Sequence, residues 1–145
     1  MNEGYGKIFV ALDGTEQQDA VLARAIKVAA NNGAPLYIGH VIDSSALETA
    51  SGLPKEIVER LDEAFRSSVA ELVSEAEANP DIPSVEVIVK AGHVRETLKE
   101  DMLDVIEPDL VLCGARGLSS IKYALLGSIS NFLLRNTKCD ILVVK

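Results

Sequence analysis

Five short runs rich in Val, Ile and Leu punctuate the chain: "KIFVAL", "PLYIGHVI", "VEVIVK", "DLVLCG" and "DILVVK". Several of them lack the strict alternation of a half-wet strand, which predicts strands covered by helices on both faces. The segments between them repeat apolar residues at helical spacing. Leu22, Ile26 and Ala29 mark a first helix; Ile57, Leu61, Phe65, Leu72 and Ala76 a second; Val94, Leu98, Met102 and Val105 a third. A short last helix carries Ile129, Phe132 and Leu133 inward. Strand and helix therefore alternate throughout. Parallel neighbours need crossover helices, and such crossovers are right-handed, so the pattern predicts an α/β protein with a doubly wound, Rossmann-like parallel sheet.

The punctuation agrees with these boundaries. Thr15 followed by Gln18 has the form of a capping box, and "NNGAP" closes the first helix with Gly33 and Pro35. "ANPDIP" closes the second, and the third stops at Glu107, before Pro108. "DSSALETASGLP" is small and polar and reads as a mobile loop after the second strand.

Length and composition narrow the picture. A chain of 145 residues predicts one domain with a single core. Hydrophobic residues make up 48% and charged ones 25%, and no stretch approaches the roughly 18 apolar residues of a membrane span. The start "MNEGYGKIFVALDG" does not resemble a secretory signal, so the expected location is the cytoplasm. A net charge of −8 argues against nucleic acid or an anionic membrane as partner, while leaving room for a small anion in a local site. Cys113 and Cys139 form no CxxC and have no metal-ligand neighbourhood. Placed at opposite ends of adjacent strands, they would lie about 16 Å apart, beyond disulfide reach.

In open parallel sheets the ligand crevice lies at the carboxyl ends of the strands, where the strand order reverses. The residues that follow strands are therefore the candidates: Asp13, Gly14 and Thr15; Asp43 and Ser44; Ala91, Gly92 and His93; and the stretch "GARGLSSIKYALLGS". That last connection is about twice the usual strand-to-helix length. Gly114 and Gly117 permit close backbone approach, and Gly127 and Ser128 open a helix whose free N–H groups and dipole attract an anion. Ser128 and Ser130 add hydroxyls, and Arg116 a fork of donors suited to phosphate. The apolar interior, with Leu118, Ile121, Leu125 and Leu126, suggests a loop tacked to its surroundings. The same residues also admit a plainer reading, in which the glycines make turns and Ser128 is an N-cap. Asp13 admits two readings as well, ligand contact or turn former beside Gly14. His40 reads as a core or strand-face residue, His93 as lying near a helix N-terminus, and Lys122 and Lys138 as surface charge. Glu56 and Arg60 are spaced for an i,i+4 pair.

The spacing of Gly114, two residues, Gly117, nine residues, then Gly127 and Ser128 resembles the ATP-binding signature of the universal stress protein family. "IFVALDG", "IGHVID", "DLVLCGARG" and "DILVVK" resemble that family's strands, so the likeness spans nearly the whole chain, residues 1–145, as a single domain. The resemblance implies a five-stranded, three-layer sandwich of the adenine nucleotide alpha hydrolase type, strand order 3-2-1-4-5. It implies that Ala11, Leu12, Asp13 and Val41 surround the base and ribose. Gly114, Arg116 and Gly117 would line the ribose and phosphate path, and Gly127, Ser128, Ile129 and Ser130 would hold the phosphates of ATP. A divalent ion, Mg²⁺ or Mn²⁺, would sit mainly on those phosphates. The family's usual dimer pairs last strands, so a homodimer is expected through residues 140–145, from Asp140 to the terminal Lys145. Many relatives carry a Pro just before that strand where this chain has Cys139 and Asp140, a change that bears on the dimer edge.

Other chemistries fit less well. A phosphoacceptor domain needs an Asp where the third strand here ends "VKAGH", and "LDGTEQQD" supplies no SGGxDS loop or HxGH pair. No constellation of His, Glu or Lys suggests efficient hydrolysis, so any ATP turnover is expected to be slow. The expected function is a nucleotide-dependent stress-response regulatory module. The alternative is a homodimeric interaction protein of the same fold that binds no nucleotide.

Overall fold

The computed structural model describes residues 4–45, 54–115 and 128–145. The strands are β1 (Ile8–Leu12), β2 (Leu36–Asp43), β3 (Val85–Gly92), β4 (Leu110–Gly114) and β5 (Asp140–Val144). They form one five-stranded sheet in the order β3-β2-β1-β4-β5, with all pairings parallel. Order reverses between β1 and β4, where Ile8 faces Leu110 and Val10 faces Leu112.

The long helices are α1 (Gln18–Asn32) and α2 (Lys55–Ala78). The third helical segment runs from α3 (Val94–Glu96) through a seven-residue π-helical stretch, Thr97–Leu103, into α4 (Asp104–Ile106). The last helix is α5 (Ser128–Asn136). Among the described residues, no helix is long and apolar enough to cross a membrane.

Alternation along the central strands feeds two separate cores. Ile8, Val10, Leu12, Leu36, Ile38, Leu110 and Leu112 pack against Leu22 of α1 and Phe65 and Val69 of α2. Phe9, Val111 and Cys113 point the other way, to Leu98, Met102 and Ile106 of the third segment and Leu133 of α5. A strand buried on both faces must be apolar at consecutive positions, which is why "KIFVAL" reads as a continuous run.

Local signals set several ends. Gly33 takes a left-handed φ of 60° at the end of α1, and the N–H groups of Gly33 and Ala34 reach back to Ala30 and Ala29. Glu107 ends α4 with a left-handed φ of 54°, immediately before Pro108. The second strand and the third extend to Asp43 and Gly92, slightly past their expected ends.

Four expectations are corrected. The capping box is not formed: Thr15 Oγ1 donates to Asp13 Oδ1 at 2.7 Å, and Gln18 Nε2 turns to Ser68 Oγ at 3.0 Å. Competition from a nearer carboxylate and from the α2 interface redirects both side chains. Ile57, Leu61 and Val105 keep their helical spacing yet are 37%, 39% and 73% exposed. The third segment is not a plain α-helix, since its π turns add a residue to the repeat. Ion pairs on α2 join Lys55 to Glu59 and Arg66 to Asp62, rather than Glu56 to Arg60.

Candidate functional site

The first two strands end alike. Beyond β1, Asp13 Oδ1 accepts the N–H of Thr15 at 3.0 Å as well as its hydroxyl, and Gly14 supplies the left-handed φ of 77° that this turn requires. Beyond β2, Asp43 Oδ1 accepts the N–H of Ser45 at 3.0 Å and its hydroxyl at 2.7 Å. The Ser45 hydroxyl and N–H, with a smaller contribution from nearby His93, hold the Asp43 carboxyl below its ordinary range. Both acids thus present fixed carboxylates at the carboxyl edge of the sheet.

The fourth strand ends differently, tied to a helix instead of a turn. Cys113 Sγ donates to Ser130 Oγ at 3.6 Å, and Ser130 Oγ donates to the Gly114 carbonyl at 2.9 Å. This short relay fastens the first turn of α5 to the end of β4. Ser130 is fully buried. Burial pushes the Cys113 thiol up, so it stays protonated and able to donate.

Between α3 and α5, over the ends of β2, β1 and β4, lies a cavity of about 380 Å³. That is within the usual range for small-molecule sites. Of the residues named from sequence, Ala11, Leu12, Asp13, Val41, Gly114, Ser128, Ile129 and Ser130 line it. Arg116, Gly117 and Gly127 lie outside the described residues, as do Lys122 and the apolar positions between the glycines.

The serines differ in what they offer. Ser128 is exposed at the start of a nine-residue helix whose first N–H groups have no partner within the helix. Ser130 has committed its hydroxyl proton to Gly114, so toward a ligand it positions the helix and contributes main chain.

The two histidines fall elsewhere. His40 points to the opposite side of the sheet, stacked on Phe65 with ring centroids 4.2 Å apart, and its Nδ1–H donates to the Leu12 carbonyl at 2.8 Å. It therefore supports the end of β1 from behind. His93 precedes α3, where its carbonyl accepts the Thr97 N–H at 2.9 Å.

The cavity also contains Asp43, a candidate by its place after the second strand, and Gly39, Val94, Arg95, Leu98 and Cys113, which sequence reasoning had not placed there. For β2 a signal existed: with Val41 on the wall, period-two alternation puts Gly39 and Asp43 beside it. For α3 none did, because Val94 and Leu98 have the spacing of an ordinary core face.

A second hollow of about 510 Å³ lies near the amino ends of β4 and β5 and includes Lys99, Asn136, Thr137 and Cys139. Its polar groups are largely engaged: Lys99 with Asp104, Asn136 with the Phe132 carbonyl, and Thr137 with the Leu133 carbonyl. The first cavity is the better candidate, having the start of a helix on its wall and a switch point at its floor.

Comparison with known proteins agrees with this architecture. The profile of the universal stress protein family matches residues 4–145. The chain belongs to the universal stress protein family. It is 26% identical over 141 residues to a Staphylococcus saprophyticus protein described as a universal stress protein, covering 97% of this chain and 84% of the relative. A Staphylococcus aureus relative of the same description is 28% identical over 141 residues, again covering 97% and 84%. Among solved structures, the universal stress protein UspA of Lactobacillus plantarum superposes with a TM-score of 0.82 at 21% identity, over 99% of this chain and 100% of that one. A universal stress protein in complex with cAMP superposes with a TM-score of 0.63 at 23% identity, over 98% of each chain. At such identities the structural likeness establishes the family's α/β fold.

Proposed function

We propose that this universal stress protein binds an adenine nucleotide, ATP with Mg²⁺ or Mn²⁺, in the cavity between α3 and α5 and acts as a nucleotide-dependent regulatory module. The observation that carries the reading is the convergence there of the first turn of α5 with the carboxyl ends of β1 and β4. A helix N-terminus favours phosphate through unpaired donors and its dipole. Ala11, Val41 and Leu98 offer an apolar wall for a base, and Asp13 offers acceptors for ribose hydroxyls. That a structural neighbour is a complex with cAMP supports an adenine ligand.

The described residues contain no group of three or more His, Cys, Asp or Glu able to hold a metal ion, so a divalent ion would depend on the phosphates for its ligands. The expected output is a change in partner binding. Pairing through β5 fits this, because Ile141, Leu142 and Val143 are only half-buried along an edge strand, and an apolar edge is relieved by a second copy.

The test is calorimetric titration with ATP and Mg²⁺ after any co-purifying nucleotide has been stripped. Micromolar binding is expected, with loss in Gly127→Glu, which fills the expected phosphate cradle, while circular dichroism shows an intact fold. A folded wild-type chain that takes up no ATP sinks the reading and leaves the homodimeric interaction protein in its place.

A further inference from the structure

The wall of the cavity opposite α5 holds a cation that the phosphate reading does not use. Arg95 lies in the first turn of the third helical segment and lines the cavity together with Val94 and Leu98. It is exposed, and among the described residues no carboxylate lies within ion-pair distance of it. Its place is fixed from below. Thr97 is buried directly against Gly92, in space a Cβ on that glycine would occupy, and the Thr97 N–H bonds the His93 carbonyl at 2.9 Å.

The sheet order sets how far Arg95 stands from the phosphate end. The segment bearing Arg95 follows β3, α5 follows β4, and β2 and β1 lie between those strands. The cavity itself spans the ends of β2, β1 and β4, two strand spacings or about 10 Å. A nucleotide whose phosphates sit on α5 must extend its sugar and base along that span, bringing the base under α3. The wall there, Ala11, Val41, Val94 and Leu98, suits the apolar face of a ring. A flat, weakly hydrated group suits the ring's other face, and the planar guanidinium stacks on aromatic planes more readily than an ammonium does.

Building on the nucleotide reading of this cavity, we propose that Arg95 covers the base of the bound nucleotide, its guanidinium lying on the ring face, so that the site selects ligands with an aromatic base. Arg95 is then a ligand-binding residue at the end of the cavity remote from the phosphates.

The experiment titrates wild type, Arg95→Ala and Arg95→Lys with ATP, with adenosine and with inorganic tripolyphosphate. Arg95→Ala is expected to weaken ATP and adenosine alike, by about tenfold, and to leave tripolyphosphate unchanged. Arg95→Lys keeps the charge without the flat face and should recover only part of the loss. The assignment is overturned if adenosine binds Arg95→Ala as well as wild type, or if tripolyphosphate is weakened as much as ATP, which would make Arg95 a phosphate contact. A wild-type chain that binds neither ATP nor adenosine overturns the nucleotide reading along with it. Wild-type binding that Arg95→Ala leaves unchanged overturns this assignment alone.

Discussion

The two faces of the sheet are built from the same strands and finished differently. On one, Leu22, Phe65 and Val69 close over Ile8, Val10, Leu12 and Ile38 to make a sealed core. On the other, the third helical segment and α5 pack around Phe9, Val111 and Met102 but part between Leu98 and Ile129, leaving the cavity. Side-chain size at neighbouring positions accounts for the difference. Strand β1 sends Val10 and Leu12 to the sealed face and the smaller Ala11 toward the cavity. In β2 the sealed face receives Ile38 and the His40 ring, and the open face receives Gly39. A Cβ on Gly39 would run into the Phe9 ring and lie 3.0 Å from Met102 Sδ, so Gly39 makes room for that ring at the cavity's edge. The sealed face holds the larger set of buried apolar residues, and the open face gives up burial around the cavity.

Three substitutions probe that division. Leu22→Ala on the sealed face should cost about 2–5 kcal/mol in urea unfolding, because a fully buried side chain leaves a cavity behind. The folded fraction should bind ATP as wild type does; a parallel fall in affinity would mean that the two faces are coupled through β1. Ser130→Ala on the open face should cost less, about 1–3 kcal/mol, since it strips the Gly114 carbonyl of its partner. It should also weaken ATP binding by loosening the first turn of α5, and an unchanged affinity would remove the relay from the description of the site.

The smallest effect concerns Cys113 and appears only at alkaline pH. Its folded pKa is raised above the ordinary 9.0, so its contribution to stability is complete below that pH and is lost as pH rises through the folded value. Wild type should therefore lose stability above pH 9.0 more steeply than Cys113→Ala. Parallel curves would show that the buried thiol is not what the alkaline limb reports.

Different parts of the site were legible to different degrees. Asp13, Gly114 and Ser128 follow or precede apolar runs directly, so chain position alone marked them as lying at strand ends and a helix start. Arg95 carried no such mark, because in the sequence it is one charged residue among several in "HVRETLKED". Thr15 and Gln18 show the opposite failure. Their spacing matches a capping box, yet Asp13 and Ser68 compete for their side chains, and Ser68 is 50 residues away along the chain. Hydrophobic spacing likewise marked which residues could face a core, yet Val105 stands exposed.

Two kinds of information thus divide the molecule. Period, composition and the placing of glycine and proline are short-range properties, and they determine the elements, their parallel sense and the turns at Gly14, Gly33 and Glu107. The cavity is long-range. Its walls come from residues 11–13, 39–43, 94–98, 113–114 and 128–130, which meet only because β1 pairs with both β2 and β4. No local pattern records that meeting, since strand adjacency is set by how whole layers pack together, and so the tertiary structure decided which groups line one cavity.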